Sequence, residues 1–209
     1  MKIHSLFSQP VYFSTLERAL TKEELKTVDE YKKKTKKNSG NKFSTDLEQF
    51  TTDSYVLKHK TLKNLKEDLT TKIKEYFNKI VCTNDSITPY ITQSWFKYTE
   101  TGQFHHSHHH LNSYLSGIFY IRAKKEEDEI VFNKSNDRQL ALIVTKPNSF
   151  NAMSCRLSVQ TGDVILFPST LEHEVLPKKG TDLRICLSFN VFVKGTIGCQ
   201  ASLTELVLE

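Results

Sequence analysis

The stretch ITQSWFKYTETGQFHHSHHHLNSYLSGIFYI, residues 91–121, marks a change in the texture of this 209-residue chain. Its two ends are rich in β-branched and aromatic residues, and a polar segment with a glycine separates them, which is typical of two strands joined by a loop. Segments of the same kind follow: EIVF (129–132), LALIVT (140–145), DVILFP (163–168) and RICLSFNVFV (184–193). Many short strands at close spacing predict an antiparallel sandwich or barrel.

The part of the chain before this stretch is predicted to be helical. A T-x-x-E capping box at Thr21 and Glu24 begins a helix over residues 20–37, and Gly40 is the predicted stop. Residues 61–80 carry leucines and isoleucines at helical spacing, which predicts a second helix.

These two halves together predict the fold class. We expect a mainly β protein with N-terminal helices (α+β), in which the helices cover one sheet of a jelly roll. The helical part takes about residues 1–82 and the jelly-roll core about 90–195, within a single domain over 1–209. The charged segment AKKEEDE (123–129) is predicted to be a hairpin tip.

Composition excludes some classes of protein. Hydrophobic residues make up 38% of the chain, and they never form a run long enough to span a membrane. The N-terminus has no apolar signal-peptide core, so the predicted location is the cytoplasm. Four cysteines form no C-x-x-C pair and are expected to be reduced: Cys82, Cys155, Cys186 and Cys199.

The net charge of +5 is concentrated in the segment YKKKTKKNSGNK (31–42), which is rich in lysine and has no acid. Such a run is typical either of a surface for nucleic acid or an acidic partner, or of a solvated helix end whose lysines suit the C-terminal dipole. Because the run has one aromatic residue and no arginine, we favour the helix end and do not predict a nucleic-acid partner.

Most of the histidines lie in the run HHSHHH. Side chains on a strand alternate between its faces, so His108 and His110 would share one face, with His105 and His109 on the other. The first two would lie about 7 Å apart along the strand, and their imidazoles could tilt onto one metal ion. The predicted third ligand is His173, which follows the apolar segment DVILF.

Spacing alone leaves other interpretations of these histidines open. A histidine-rich loop can bind metal adventitiously, and a lone histidine such as His173 is often an ordinary, partly buried residue. A purification tag is a poor explanation because the run is internal.

Between Trp95 and Val193 the chain carries, in order, H-x-H, L-S-G-x-F-Y, F-P-S-x-x-x-H and R-I-C-x-S-F-N. This order resembles the 2-oxoglutarate- and Fe(II)-dependent oxygenase superfamily. More closely, it resembles an oxygenase family of bacteria and marine phages whose members carry H-x-H, L-S-G-x-Y-Y, F-P-S-x-x-x-H and R-I-S-x-S-F-N. The N-terminal LFSQPVY is also similar to that family's L-F-x-x-P-V, so the resemblance covers essentially the whole chain.

The resemblance implies a double-stranded β-helix, a jelly roll of two facing sheets. It also implies Fe(II) held by His108, His110 and His173, with 2-oxoglutarate as co-substrate and dioxygen as oxidant. The implied reaction hydroxylates a substrate and decarboxylates 2-oxoglutarate to succinate. Because ligand histidines must be neutral, metal affinity is expected to fall below about pH 6.

Four residues are implied as contacts of the co-substrate. Arg184 would bind its far carboxylate through a planar guanidinium, and on an apolar strand this side chain needs either a bound anion or a buried acid as its partner. Tyr98 and Tyr120 match tyrosines that hydrogen-bond the co-substrate in prolyl-hydroxylase-like enzymes, although either could be a core ring with its hydroxyl bonded to backbone. Ser188 could add a hydroxyl to the carboxylate; for it and for Asn190 we favour a plain role in the sheet.

The sequence departs from the superfamily at one metal ligand. Most members carry H-x-D or H-x-E, which gives two histidines and one carboxylate, and here His110 stands in place of the acid. Glu172 and Glu174 flank His173 but would point away from it on a strand. We therefore infer a set of three histidines, which would also suit zinc.

Two other functions stay open at this point. One is a non-catalytic jelly-roll protein, phage-associated or not, that keeps a metal for structure. The other is a three-histidine metal enzyme that does not use 2-oxoglutarate. The substrate is unassigned among a protein side chain, a nucleobase, a sugar and a small metabolite, and for a phage-encoded chain the predicted location is the host cytoplasm.

Overall fold

A computed structural model gives the structure of residues 2–4, 6, 8–35, 49–83, 86–134 and 142–209. Its α-helices are α1 (Lys22–Lys34) and α2 (Lys63–Tyr76). Short 3₁₀ turns cover Val56–Lys58, Lys60–Leu62 and Gln200–Ser202, and a π turn covers Phe77–Val81. The strands are β1 (Tyr12–Thr15), β2 (Gln49–Phe50), β3 (Thr88–Thr99), β4 (His105–His108), β5 (Leu115–Arg122), β6 (Glu129–Asn133), β7 (Ser154–Ser158), β8 (Asp163–Pro168), β9 (His173–Val175), β10 (Arg184–Ile197) and β11 (Leu206–Leu208).

Two antiparallel sheets contain these strands. In the part of the chain that is described, the larger sheet has seven strands, in the order β1-β8-β5-β10-β3-β2 with β11 paired to β10. The smaller sheet has four, in the order β4-β9-β6-β7. From β3 to β10 the chain passes back and forth between the sheets, as in a jelly roll. The predicted fold class, mainly β with a few helices, is confirmed.

Alternation along β10 divides its side chains between two hydrophobic cores. Ile185, Leu187 and Phe189 face an outer core that includes side chains of both α-helices. Cys186 faces an inner core between the sheets. The strand residues that share this inner core with Cys186 come from both sheets: Ile118, Tyr120, Ile130, Phe132, Ile165 and Phe167. The inward face of β10 and of its neighbour β3 therefore looks into the space between the sheets.

Both helix predictions are confirmed, with shorter bounds. Thr21 and Glu24 form the predicted capping box, in which the Thr21 hydroxyl accepts from the Glu24 N–H at 3.1 Å and the Glu24 carboxylate accepts from the Thr21 N–H at 2.8 Å. The first α-helix ends at Lys34. The predicted stop Gly40 and the part of the lysine run from residue 36 onward lie outside the described residues.

Two local predictions are wrong. Residues 123–129 are not a hairpin tip, because β5 and β6 belong to different sheets and this segment is the crossover between them. Residues 142–145 of the predicted strand LALIVT have no strand pairing; the neighbour of β6 is β7 instead, paired over five residues. An apolar run forms a strand only where a partner edge is free to receive it.

The structure adds two facts about the class of protein. Among the described residues, no helix is both long and apolar enough to cross a membrane. The four cysteines are free thiols, with Cys186 buried and the others exposed.

Candidate metal centre

Three histidines meet at the edge where the smaller sheet faces β3 and β10. His108 ends β4 and His173 begins β9, and these two residues are register partners across the strand pair. His110 lies two residues beyond β4, where its backbone N–H donates to the Ser169 carbonyl at 3.0 Å. One nitrogen from each of the three rings lies within 4.8 Å of the others. The structure thus brings together the three residues that the sequence singled out.

The hydrogen bonds of His108 and His173 fix which ring nitrogen is free. Nδ1 of His108 lies 2.8 Å from the backbone oxygen of His106, and Nδ1 of His173 lies 3.1 Å from that of Leu171. A carbonyl oxygen only accepts, so each Nδ1 carries the hydrogen and each Nε2 keeps its lone pair for a metal.

His110 has the same arrangement, with a side-chain partner. Its Nδ1 lies 2.6 Å from Oδ1 of Asn190, on β10, and 3.0 Å from the hydroxyl of Ser116, on β5. The Ser116 hydroxyl bonds to that of Ser169 at 2.8 Å, which in turn donates to the Ser113 hydroxyl at 2.8 Å. Residues of the larger sheet therefore orient a ring that belongs to the edge of the smaller one.

All three rings are held in their neutral form. Burial lowers the pKa of His108 to about 3, of His110 to about 4 and of His173 to about 2. Repulsion from neighbouring histidines and from Lys97 contributes to the lowering of each pKa. Neutral imidazoles with free Nε2 atoms are the form that binds a divalent transition metal, so the donor set fits such an ion.

A cavity of about 440 Å³ gives access to this centre. Residues of β2 and β3 form one side of the cavity, and residues of β4 form the other. His108 and His110 lie in its wall. Lys97 also lines it, and none of the described residues in the wall is acidic. The remaining lining residues include three large apolar ones, Phe50, Trp95 and Leu111. His173 lies behind this wall and is 2% exposed.

Simple alternation predicted that His105 faces away from the metal ligands. In the structure it does not. The β4–β9 pairing has an irregularity between His105 and His108, and a bulge of this kind changes the face on which a side chain lies. The rings of these two residues are 4.2 Å apart between centroids, and His105 lines the cavity. His109 is exposed.

Arg184 is buried with an acid of the chain as its neighbour. Its Nη1 lies 3.8 Å from Oδ1 of Asp128, and its Nη2 donates to the Thr99 hydroxyl at 3.0 Å. The same Asp128 oxygen accepts from Nζ of Lys178 at 3.0 Å. Arg184 lines a separate cavity of about 60 Å³. Of the two partners that the sequence allowed, the structure shows the buried acid.

Tyr98 lies on the wrong face of β3 to meet the co-substrate. It packs in the outer core, and its hydroxyl donates to the Val28 carbonyl of α1 at 2.8 Å. Since alternation runs along the strand itself, Trp95 and Lys97 are the residues that face the histidines. The proposed contact of Tyr98 with 2-oxoglutarate is therefore corrected to a core ring bonded to backbone.

Tyr120 and Ser188 lie on the inward side of the larger sheet. Each is 2% exposed, and Tyr120 belongs to the inner core. Ser188 is the register partner of Trp95 on one side and of Ile118 on the other. Neither lines the histidine cavity, so their contact with the co-substrate stays a prediction.

Sequence reasoning missed two residues of this site. Asn190 was assigned a plain sheet role, but it bonds to His110 from 80 positions away, a distance that no local pattern reports. Lys97 carried a usable signal, because the large apolar residues Phe96 and Tyr98 alternate with it and predict that it faces the other way.

The sequence and the fold both match known oxygenases. A family model described as "Putative 2OG-Fe(II) oxygenase" matches residues 93–190, the segment from β3 to β10. No curated protein shows a significant match.

Solved structures share this fold at low sequence identity. The non-heme alpha-ketoglutarate-dependent epimerase SnoN from nogalamycin biosynthesis has a TM-score of 0.61 at 10% identity, over 88% of this chain and 78% of that one. A prolyl hydroxylase from Trichoplax adhaerens, in complex with a hypoxia inducible factor peptide fragment, has 0.60 at 12%, over 87% and 83%. HygX from Streptomyces hygroscopicus, with nickel, 2-oxoglutarate and hygromycin B bound, has 0.58 at 11%, over 88% and 82%.

These likenesses establish the jelly-roll fold. The family match indicates the chemistry, which is oxidation with Fe(II) and 2-oxoglutarate. The matched segment contains all three clustered histidines. Over residues 93–190 the chain is thus similar to the family described as putative 2OG-Fe(II) oxygenases, and its fold is that of 2-oxoglutarate-dependent non-haem iron oxygenases.

Proposed function

We propose that the protein is a dioxygenase in which His108, His110 and His173 hold Fe(II) and which hydroxylates a substrate while 2-oxoglutarate is decarboxylated to succinate. One observation carries the proposal: each Nδ1 atom of these rings is bonded to an oxygen acceptor, which leaves three Nε2 atoms for one ion. Such hydrogen bonds are the usual way in which a protein orients metal-binding imidazoles.

Bound Fe(II) and 2-oxoglutarate supply the oxidation, in which dioxygen gives one oxygen atom to the substrate and one to succinate, with loss of CO₂. The residues of the chain hold the metal ion and position the co-substrate and the substrate. The three imidazoles are neutral donors, so they leave the full charge of the ion in place, whereas a carboxylate ligand would cancel part of it. This favours a co-substrate with two negative charges.

The wall of the cavity has the character of a surface that binds substrate. Phe50, Trp95 and Leu111 supply apolar contact and exclude water, while Gln93 and Thr52 supply hydrogen-bonding groups beside them. HygX was crystallised with hygromycin B and the prolyl hydroxylase with a peptide fragment, so both a small molecule and a protein segment are compatible with the proposal, as are a nucleobase and a sugar.

A second candidate function rests on the third histidine. Three neutral imidazoles and water are also a zinc site, and a three-histidine metal enzyme would need no 2-oxoglutarate. We place either activity in the cytoplasm, or in the host cytoplasm if a phage encodes the chain, on the sequence alone.

Titration of 2-oxoglutarate into the Fe(II)-loaded protein under argon tests the proposal. We expect a metal-to-ligand absorption band in the parent and no band in a His173→Gln variant that keeps its fold by circular dichroism. Dioxygen uptake should then yield an equal amount of succinate. Uptake without succinate would support the second candidate, and a parent protein that binds the metal without developing the band would exclude the first.

A further inference from the structure

Trp95 is the only tryptophan of the chain, and the fold does not use it as a core residue. Tryptophan is highly buried on average, yet Trp95 is only partly buried, and neither hydrophobic core of the described residues includes it. Phe96 and Tyr98, on the other face of β3, are 0% and 1% exposed in the outer core. Trp95 instead lines the cavity at the metal centre. A large ring that the core does not use is a candidate contact for a ligand.

The indole ring of Trp95 lies beside a metal ligand. Its centroid is 5.7 Å from that of the His110 imidazole, with 46° between the two ring planes. The His110 ring is itself held by Asn190, whose Oδ1 lies 2.6 Å from its Nδ1. A ligand group that packs on Trp95 is therefore held next to the metal centre.

Two further apolar side chains extend the surface that Trp95 begins. Phe50 comes from β2, which pairs with β3, and Leu111 directly follows His110 in the chain. Leu111 is 74% exposed, so its side chain is available to a ligand. Phe50, Trp95 and Leu111 thus come from three separate segments and line one cavity. Such convergence is typical of a ligand site rather than of scattered apolar residues on a surface.

We propose that Trp95 binds a planar ring of the substrate, so that the substrate carries an aromatic or heteroaromatic ring close to the carbon that is oxidised. This inference rests on the proposed function and names a class of substrate for it. Aromatic rings pack on one another in offset or tilted arrangements, which add binding free energy beyond that of the buried area. A saturated ring of the same size gains from the buried area alone.

Two alcohols of equal size test the proposal: benzyl alcohol, whose ring is planar, and cyclohexylmethanol, whose ring is saturated. Protein loaded with Zn(II) and 2-oxoglutarate suits the measurement, because Zn(II) also accepts three histidines and is diamagnetic. Ligand-observed NMR titration gives the dissociation constant of each alcohol. We expect the preference for benzyl alcohol, measured as the ratio of the two constants, to fall by about 2- to 10-fold in Trp95→Leu. Trp95→Phe, which keeps a planar ring, should retain most of it.

The matched control is Tyr90→Leu, which removes an aromatic ring from the same strand outside the cavity. It should leave the ratio as in the parent. If Trp95→Leu keeps the ratio of the parent, or if the parent binds neither alcohol, the inference fails, and an absorption band of 2-oxoglutarate in the Fe(II)-loaded protein would still support the proposed function. Absence of that band would overturn the proposed function, and with it the assignment of the bound ring to a substrate.

The unaltered protein gives a second test in case Trp95→Leu does not fold. A chain with one tryptophan has one indole N–H resonance in isotope-labelled protein, so this signal belongs to Trp95. Benzyl alcohol should shift the resonance through the ring current of the bound aromatic ring, and cyclohexylmethanol should shift it much less. Equal shifts from the two alcohols, or none from either, contradict the proposal.

Discussion

Asn190 decides which nitrogen of His110 faces the metal centre. The amide oxygen accepts from Nδ1 at 2.6 Å, which fixes the tautomer and the rotation of the ring. The Ser116 hydroxyl also contacts this nitrogen, at 3.0 Å. The position of this ligand therefore depends on side chains that are distant in sequence.

Removal of the Asn190 amide should weaken metal binding. In an Asn190→Ala variant the His110 ring loses its acceptor and can rotate, and we expect metal affinity to fall about 10- to 100-fold. Competition with a chromophoric chelator measures this. Asn190→Asp, which keeps an acceptor at the same place, is the matched control and should retain tight binding. Equal affinities for the parent and the alanine variant would show that the bond does not orient the ring.

The stability of the metal-free protein should fall as the pH drops below about 6.5. The folded pKa values of about 2 to 4 for His173, His108 and His110 lie below the ordinary value of 6.5, so the unfolded chain binds protons that the folded chain does not. The stabilisation is complete above pH 6.5 and is lost on acidification, by up to about 1.4 kcal/mol per pH unit for each such ring.

Urea unfolding of the metal-free protein between pH 7.5 and 5 measures this dependence, and a His173→Phe variant should have a shallower slope. A slope that this substitution leaves unchanged would contradict the burial argument. For the same reason, loss of metal affinity should begin near pH 4 rather than at the pH of about 6 expected from ordinary histidines.

The residue scale also shows the limits of counting along the sequence. The H-x-H spacing and the distal histidine were enough to predict the three clustered rings. Tyr98 was placed by its positional match to a tyrosine of prolyl-hydroxylase-like enzymes. A turn and an irregular strand pairing separate it from the H-x-H motif, and a match of position does not determine a face. The alternation of Phe96 and Tyr98 with Lys97 within β3 does.

At the scale of elements, Asp128 ties the β5–β6 crossover to the strands around it. Its Oδ2 accepts from the Lys124 backbone N–H at 2.9 Å, and its Oδ1 forms ion pairs with Lys178 and Arg184. Asp128, Lys178 and Arg184 are each at most 4% exposed. One acid thus sits beside two buried cations, where the chain passes from one sheet to the other.

Loss of this acid should destabilise the fold without affecting the metal centre directly. Asp128→Ala removes the buried acid beside Lys178 and Arg184, and we expect the free energy of unfolding to fall by about 3 to 5 kcal/mol. Guanidinium denaturation measures the change. Asp182→Ala, at an exposed ion pair with Lys124, is the control and should change the stability much less, because an exposed ion pair contributes little. Equal, small effects of both changes would mean that the buried group contributes little.

Elements were predictable where their signal is local. The capping box of α1 and the apolar runs of β5, β8 and β10 are patterns within one segment, and they were found. The crossover at 123–129 and the unpaired residues 142–145 depend on which strands are neighbours. Pairing is decided by the whole sheet rather than by the segment, so a single segment could not reveal it.

At the scale of the whole molecule, the fold assembles the site from two sheets. The smaller sheet supplies His108 and His173, and the larger one supplies Asn190 and Lys97. The helices cover the outer face of the larger sheet and leave the cavity between β3 and β4 open. Any change that shifts one sheet against the other therefore alters both the metal centre and the wall that faces it.

Anomalous diffraction at the iron edge, from crystals grown with Fe(II) under argon, tests the central claim most directly. The account predicts one anomalous peak, from an iron ion bonded to Nε2 of His108, His110 and His173. The ion should lie about 2.0 to 2.2 Å from each nitrogen, as for metal–imidazole bonds generally. A peak at other ligands, such as His105 or His109, would contradict the three-histidine centre from which the proposed chemistry follows. So would the absence of any peak in crystals grown with Fe(II).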